Sequence, residues 1–282
     1  MKPKDNFPVF GIQEFQPDLH HTNELQFHLV QGKQLIEKPH KHDFFMLLLF
    51  EQGSGTHTID FKQYEVGDHQ LHLLFPGQVH SWALGENTVA YQLMISQPVF
   101  EIFSSSLELT FVLYQKQPVL ELSSETFSQL QHEFQSIDAE LSRAPVHWNI
   151  VNLRNQLIAQ LVNREAGEKY DYLKVYRAVP ALMKYQHLVD VYFKEQKSVA
   201  FYADQLHISA NYLNILCKRN LQVPALFLIH TRIILEAKRL LHASELPVKE
   251  IAFDLGFSDL AHFSNFFKSK TGMSPRSFRE QL

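Results

Sequence analysis

The chain of 282 residues has one cysteine, Cys217, which excludes an internal disulfide and fits a reducing compartment. Its longest apolar run, Phe44 to Phe50, is too short to cross a bilayer, and the opening MKPKDNFPVF lacks a signal-like apolar core. A cytoplasmic location with no membrane partner is expected. Arginine is absent from the first 142 residues, so that part offers no bidentate clamp for a carboxylate. Catalytic patterns are missing too. No G-x-G-x-x-G or phosphate-binding loop occurs, and no nucleophile–base pair stands out. Cys217 falls on the apolar side of a helical stretch and reads as core. These absences point away from an enzyme.

What is present divides the chain in two. Its length suits two domains of ordinary size, and its 23 phenylalanines indicate packed cores. The net charge of −4 is unevenly spread. Residues 180–282 hold 13 Lys and Arg against 9 Asp and Glu, whereas residues 1–179 hold 13 against 21. The C-terminal third can approach a phosphate backbone. Nine of the 16 histidines lie between His20 and His80.

Short apolar runs broken by Gly and Pro turns fill the stretch from Phe7 to about Ser96: Phe44–Glu51, Thr56–Phe61, Gln70–Phe75, His80–Leu84 and Val89–Ile95. They predict an antiparallel barrel or sandwich. The period then changes. Phe127, Leu130, Phe134, Ile137 and Leu141 draw one helical seam, and Ile150, Leu153, Leu157 and Leu161 a second. Such seams pack on their own barrel or pair two copies of the chain. The polar stretch from Asn163 to Asp171 reads as a linker. The expected division is 1–166 for the β-rich part with its two helices, to which the resemblance described below gives sensing and dimerisation, 167–178 for the link, and 179–282 for a helical domain.

Within that helical domain, Pro247–Arg279 reads as helix, tight turn at Gly256, and a second helix capped by Ser258 or Asp259. Ala203, Leu206, Tyr212, Leu213, Leu216, Cys217 and Lys218 repeat Ala252, Leu255, His262, Phe263, Phe266, Phe267 and Lys268. The offset is 49 before the turn and 50 after it, so two helix-turn-helix units stand in tandem. In the first unit His207 replaces the turn glycine, and Gln222 stands where the second has Gly272. Ala225–His242 reads as the connecting helix.

The run A-x-x-x-G-F-S-D-x-x-H-F-S-x-x-F-K-x-x-x-G-x-S-P-x-x-x-R closely resembles the signature of AraC/XylS-type transcription regulators, with His262 where that family more often has Tyr. P-H-K-H-D-F-F, G-S-G-T-H-T-I, V-G-D and F-P-G-Q-V-H-S-W resemble the cupin-type sensor domain that precedes the DNA-binding unit in many of them. The resemblance implies an α+β multidomain protein: an antiparallel, cupin-like β-barrel with two following helices, then an all-α tandem helix-turn-helix unit. It implies sequence-specific binding of double-stranded DNA, a small-molecule effector in the barrel, a homodimer, and RNA polymerase as a candidate partner. By position in the motif, Asn211, Asn214, Ile215, Ala261, Ser264 and Asn265 are candidates to read bases, where Asn pairs with adenine and Ala or Ile touches a thymine methyl. Lys218, Lys268, Arg276 and Arg279 are candidates for phosphate. Arg232 belongs to the connecting-helix pattern.

In the barrel, strand alternation puts His40, His42 and Met46 on one face, and His80 with Trp82 on one face. These five are the candidate effector-binding residues, and the lack of arginine favours an uncharged or weakly polar effector over a sugar acid. His40, His42 and His80 also have metal-ligand spacing. Metal-binding cupins, however, add a Glu shortly after the second His, where Met46 and Leu47 stand here. No metal and no other cofactor is therefore expected. His57, His69 and His72 are expected at the barrel mouth, facing water. A metal-dependent cupin enzyme fused to a DNA-binding unit, and a constitutive regulator whose barrel only dimerises, remain as alternatives.

Overall fold

The structure, a computed structural model, describes residues 9–12, 24–104, 117–170, 179–244 and 246–280. The chain divides into two compact units, with the boundary after Tyr170. The first unit holds two five-stranded sheets. Its strands are β1 (Val9–Phe10), β2 (Leu25–Gln31), β3 (Gln34–His42), β4 (Phe45–Gln52), β5 (Gly55–Ile59), β6 (Lys62–Glu65), β7 (Gln70–Leu74), β8 (His80–Leu84), β9 (Val89–Ile95) and β10 (Val119–Glu121). One sheet runs β1-β3-β8-β5-β6 and the other β10-β7-β4-β9-β2. All pairings are antiparallel except β1 with β3. The interior between the sheets is packed with Met46, Leu48, Phe50, Leu74, Trp82, Leu84 and Met94.

β4 explains the longest apolar run. It is central in its sheet, between β7 and β9, and buried on both faces. Met46, Leu48 and Phe50 face the other sheet, while on the reverse side Phe45 meets Phe100 of helix α1 (Gln97–Ser104). Helix α2 (Ser124–Leu141) also packs on that side, and all five residues of its seam are buried. Its N-terminus is tied to helix α3 (Trp148–Lys169) through Glu165, which accepts from Ser123 N–H at 2.6 Å, Thr126 Oγ1 at 2.6 Å and Lys169 Nζ at 3.1 Å. α3 therefore carries helix through most of the Asn163–Asp171 stretch read above as a linker. Of the link expected at 167–178, residues 171–178 lie outside the described residues.

One turn escaped the sequence reading. Asp60 and Phe61, placed above at the end of a strand, both have positive φ and close a two-residue hairpin between β5 and β6. No Gly or Asn announces it. Its conformation is held from outside, because Gln78 Nε2 and Val79 N–H both donate to the Asp60 carboxylate.

The second unit is helical: α4 (Pro180–Tyr192), α5 (Val199–Gln205), α6 (Ala210–Leu221), α7 (Ala225–Ala243), α8 (Val248–Asp254), α9 (Leu260–Thr271) and α10 (Pro275–Glu280). The tandem repeat is realised cap for cap. Ser209 accepts the N–H of Tyr212 at the start of α6, and Asp259 accepts that of His262 at the start of α9. Both turns use the left-handed region, at His207 (φ 55) and Gly256 (φ 71), as do both C-caps, at Gln222 (φ 60) and Gly272 (φ 83). Leu213 and Cys217 of α6 are fully buried, as are Phe263 and Phe267 of α9. Burial pushes the Cys217 thiol up to about 12, in keeping with a core residue.

Candidate functional site

The interior of the β unit gathers the five candidate effector residues. β3 directs His40 and His42 inward, β8 directs His80 and Trp82, and β4 contributes Met46 from the opposite sheet. The His40 and His80 ring centroids lie 4.2 Å apart, those of His42 and His80 4.7 Å, and Trp82 meets His80 edge-on at 5.3 Å. The Met46 sulfur accepts from Gln92 Nε2 at 3.2 Å. The ligand nitrogens of His40, His42 and His80 all lie within 4.8 Å of one another.

The expectation for His57 and His72 is overturned. Neither is at a barrel mouth; both are fully buried and join the cluster. His57 Nε2 lies 3.0 Å from His80 Nδ1, and His57 Nδ1 lies 2.8 Å from His72 Nδ1. His72 then reaches Gln70 Oε1 at 3.1 Å, and Gln70 donates to Glu121 at 2.6 Å. The signal was in the pattern, since His57 has the inward parity of Ile59 and His72 that of Leu74. His69 is different: it is half-buried and stacks on Phe127 with centroids 4.3 Å apart. Burial holds the five interior imidazoles below their ordinary range, and at His42, His57 and His80 neighbouring rings add to the effect. Burial thus favours the neutral form of each ring.

In the helical unit, Asn211, Ile215, Ala261 and Asn265 are exposed on α6 and α9, with Ser264 half-buried beside them. Asn214 is half-buried and has partners within its own unit. Its Oδ1 accepts the N–H of Ala225 at 3.0 Å and its amide donates to the Ala210 carbonyl, so its polar atoms serve the start of α7. At the matching point of the second unit Pro275 opens α10, and proline has no N–H to satisfy. Ser264 therefore has no such duty. Arg279 is half-buried, and its Nε donates to the Leu241 carbonyl at 3.2 Å, fastening α10 to the end of α7. Lys218 and Lys268 are exposed in the last turns of α6 and α9. Arg276 is exposed in a solvated pair with Glu280. Arg232 pairs with Asp190 and Glu236 and lies 3.9 Å over the Phe193 ring, tying α7 to the end of α4.

A two-sheet β unit with a polar heart, followed by two capped helix-turn-helix units sharing one connecting helix, defines a two-domain DNA-binding transcription regulator. The chain is of the AraC type: residues 33–144 match a family described as the AraC-like ligand binding domain, and residues 202–281 one described as a helix-turn-helix domain. It is homologous to the HTH-type transcriptional activator RhaS of Escherichia fergusonii, with 25% identity over 268 residues, covering 86% of this chain and 87% of the relative. RhaS of Shigella sonnei is 24% identical over 268 residues with the same coverage. Among solved structures, ToxT from Vibrio cholerae O395 matches over 93% of this chain and 99% of its own, with 16% identity and a TM-score of 0.43. The C-terminal domain of AraT from Geobacillus stearothermophilus covers 38% of this chain and 88% of its own, with 27% identity and a TM-score of 0.36. Among the described residues no helix is long and apolar enough to cross a membrane.

Proposed function

We propose that this chain is a cytoplasmic, homodimeric transcription activator, controlled by a small-molecule effector in the β unit and acting by binding, not by catalysis. RNA polymerase is the partner through which activation proceeds. The observation that carries the reading is the pair of capped helices, α6 and α9, each with an apolar back in the core and an outer face that exposes Asn211 and Ile215 on α6, and Ala261 and Asn265 on α9. Asn211, Ile215, Ala261, Ser264 and Asn265 read base edges, while Lys218, Lys268 and Arg276 neutralise phosphates. The effector contacts His40, His42, Met46, His80 and Trp82. The connection between the two domains falls after Tyr170.

Selection of an operator from random duplex DNA, at stated salt, tests the reading. On the selected site, Asn265→Ala is expected to relax preference at one base pair by ~1–3 kcal/mol. Lys268→Ala is expected to weaken all sequences alike and to lower the salt slope by about one. A protein that selects no sequence, or a footprint indifferent to both changes, overturns it.

The two helical seams support different roles. That of α2 is buried in its own unit, whereas Ile150, Leu153 and Leu157 of α3 are 40%, 64% and 45% exposed. A second copy covers this stripe in the proposed dimer. Leu153→Glu with Leu157→Glu is expected to yield monomers in sedimentation equilibrium, with the β unit's circular dichroism unchanged. A dimer that survives both changes rules out α3 as the interface.

A further inference from the structure

The two helix-turn-helix units are joined by more than α7. The loop of residues 193–198, between α4 and α5, leads into the first unit. On that side it is held by fully buried Tyr202 of α5, whose hydroxyl donates to the Gln196 carbonyl at 2.7 Å, and by Arg232 of α7, which lies over Phe193. Its other side meets the turn of the second unit. Lys197 Nζ donates to the Lys194 carbonyl at 2.7 Å and to the Gly256 carbonyl at 3.0 Å, and stands 5.0 Å over the Phe257 ring. One ammonium thus bridges a carbonyl of the loop and one of the turn while covering an aromatic face. A compact charge with three donors suits that task better than a planar guanidinium. The backbones themselves touch, since a Cβ on Gly256 would lie 2.0 Å from the Lys194 oxygen, so no rotamer change can absorb a shift there. Beyond the turn, buried Phe257 packs on Phe263 and Phe266 of α9, with ring centroids 5.3 Å apart in each case. Phe266 returns to α7 through His230, at 5.0 Å. The contacts therefore close a ring: α7, the end of α4, the loop, the turn, α9, and α7 again. A single connecting helix leaves α9 free to twist about it, whereas a closed ring resists that twist.

We propose that Lys197 is a positioning residue: by clasping the loop to the turn it fixes the phase between α6 and α9, and so the spacing of the two half-sites that the protein accepts. The role presupposes the DNA-reading function proposed above, and Lys197 acts through α9, not by touching DNA. One base pair added or removed between half-sites moves one against the other by about 3.4 Å and turns it by roughly a tenth of a helical turn. A rigid pair of readers cannot follow both displacements.

Full-length protein is titrated, at fixed salt, with its selected operator and with versions whose half-sites are one base pair closer or farther apart. Wild-type affinity is expected to fall about 10-fold or more at either altered spacing, as when one good base contact is lost. Lys197→Met keeps the apolar stem over Phe257 and removes the donors, and its spacing penalty is expected to shrink to about 3-fold or less. Lys249→Met removes the same charge from an exposed position on α8 and is expected to keep the wild-type penalty. A wild-type chain that selects no operator removes the DNA-reading function and this role with it. A wild-type chain that selects one yet tolerates both altered spacings, which needs no variant to observe, overturns the role of Lys197 alone. So does a folded Lys197→Met variant that loses affinity equally at every spacing, because that is the behaviour of a phosphate contact.

Discussion

Acidifying the protein below about pH 6.5 is expected to unfold the β unit while the helical unit keeps its structure. The driving groups are the buried imidazoles. His42 and His72 are lowered from 6.5 to about 3, mainly by burial, and His57 and His80 are lowered well below 6.5. Because the native state binds these protons more weakly than the unfolded chain does, stability is complete above 6.5. It is lost as pH falls from 6.5 toward the native value. Each ring removes up to ~1.4 kcal/mol per pH unit in that window. At pH 5 that is about 2 kcal/mol per ring, and two rings alone approach the ~5–15 kcal/mol that holds a whole domain. Urea unfolding at a series of pH values, read by circular dichroism, measures the slope. His72→Leu should flatten it. A stability independent of pH between 7 and 5 contradicts the buried neutral cluster.

Gly256→Ala is expected to disable the second helix-turn-helix unit. A Cβ built on Gly256 would stand 2.0 Å from the Lys194 carbonyl oxygen, where backbone cannot yield cheaply. The φ of +71° adds the left-handed penalty of an L side chain. The same turn is clasped by Lys197, whose Nζ donates to the Gly256 carbonyl at 3.0 Å and to the Lys194 carbonyl at 2.7 Å. Lys194 in turn pairs with Asp254 at 2.8 Å. Moving the turn aside would break the Lys197–Gly256 and Lys194–Asp254 contacts. Strain and overpacking together are expected to cost ~3–5 kcal/mol, with operator binding falling accordingly. The first unit supplies the contrast. His207 holds the matching left-handed position, so His207→Gly is expected to leave stability level or raise it by up to ~1 kcal/mol. Thermal unfolding of the two variants side by side gives the comparison, and equal midpoints would show that the Lys194 contact does not constrain the turn.

Much of this architecture was legible in the sequence because it depends on near neighbours along the chain. Helical spacing picked out Cys217 as core, and both it and Phe267, its counterpart in the repeat, are fully buried. The repeat foretold matching caps and matching left-handed residues, since a helix end must satisfy its own backbone within a turn or two. Strand alternation paired His40 with His42 and His80 with Trp82, each pair on one face of its strand, whereas Met46, placed with His40 and His42, lies on β4 of the opposite sheet. The hairpin at Asp60–Phe61 was not legible, because what holds it comes from Gln78 and Val79.

By itself, then, the sequence determined the two-part plan, the tandem helix-turn-helix units and the direction in which most side chains leave their own element. Tertiary structure decided what each of them meets. It gave Asn214 a partner at the start of α7 and Arg279 one at its end. It left Ile150, Leu153 and Leu157 outside while burying the seam of α2. It also joined His57 and His72, from strands of opposite sheets, to the three histidines already singled out. Periodicity fixes the direction of a side chain from its own backbone, whereas a partner distant in sequence is set only when the elements pack.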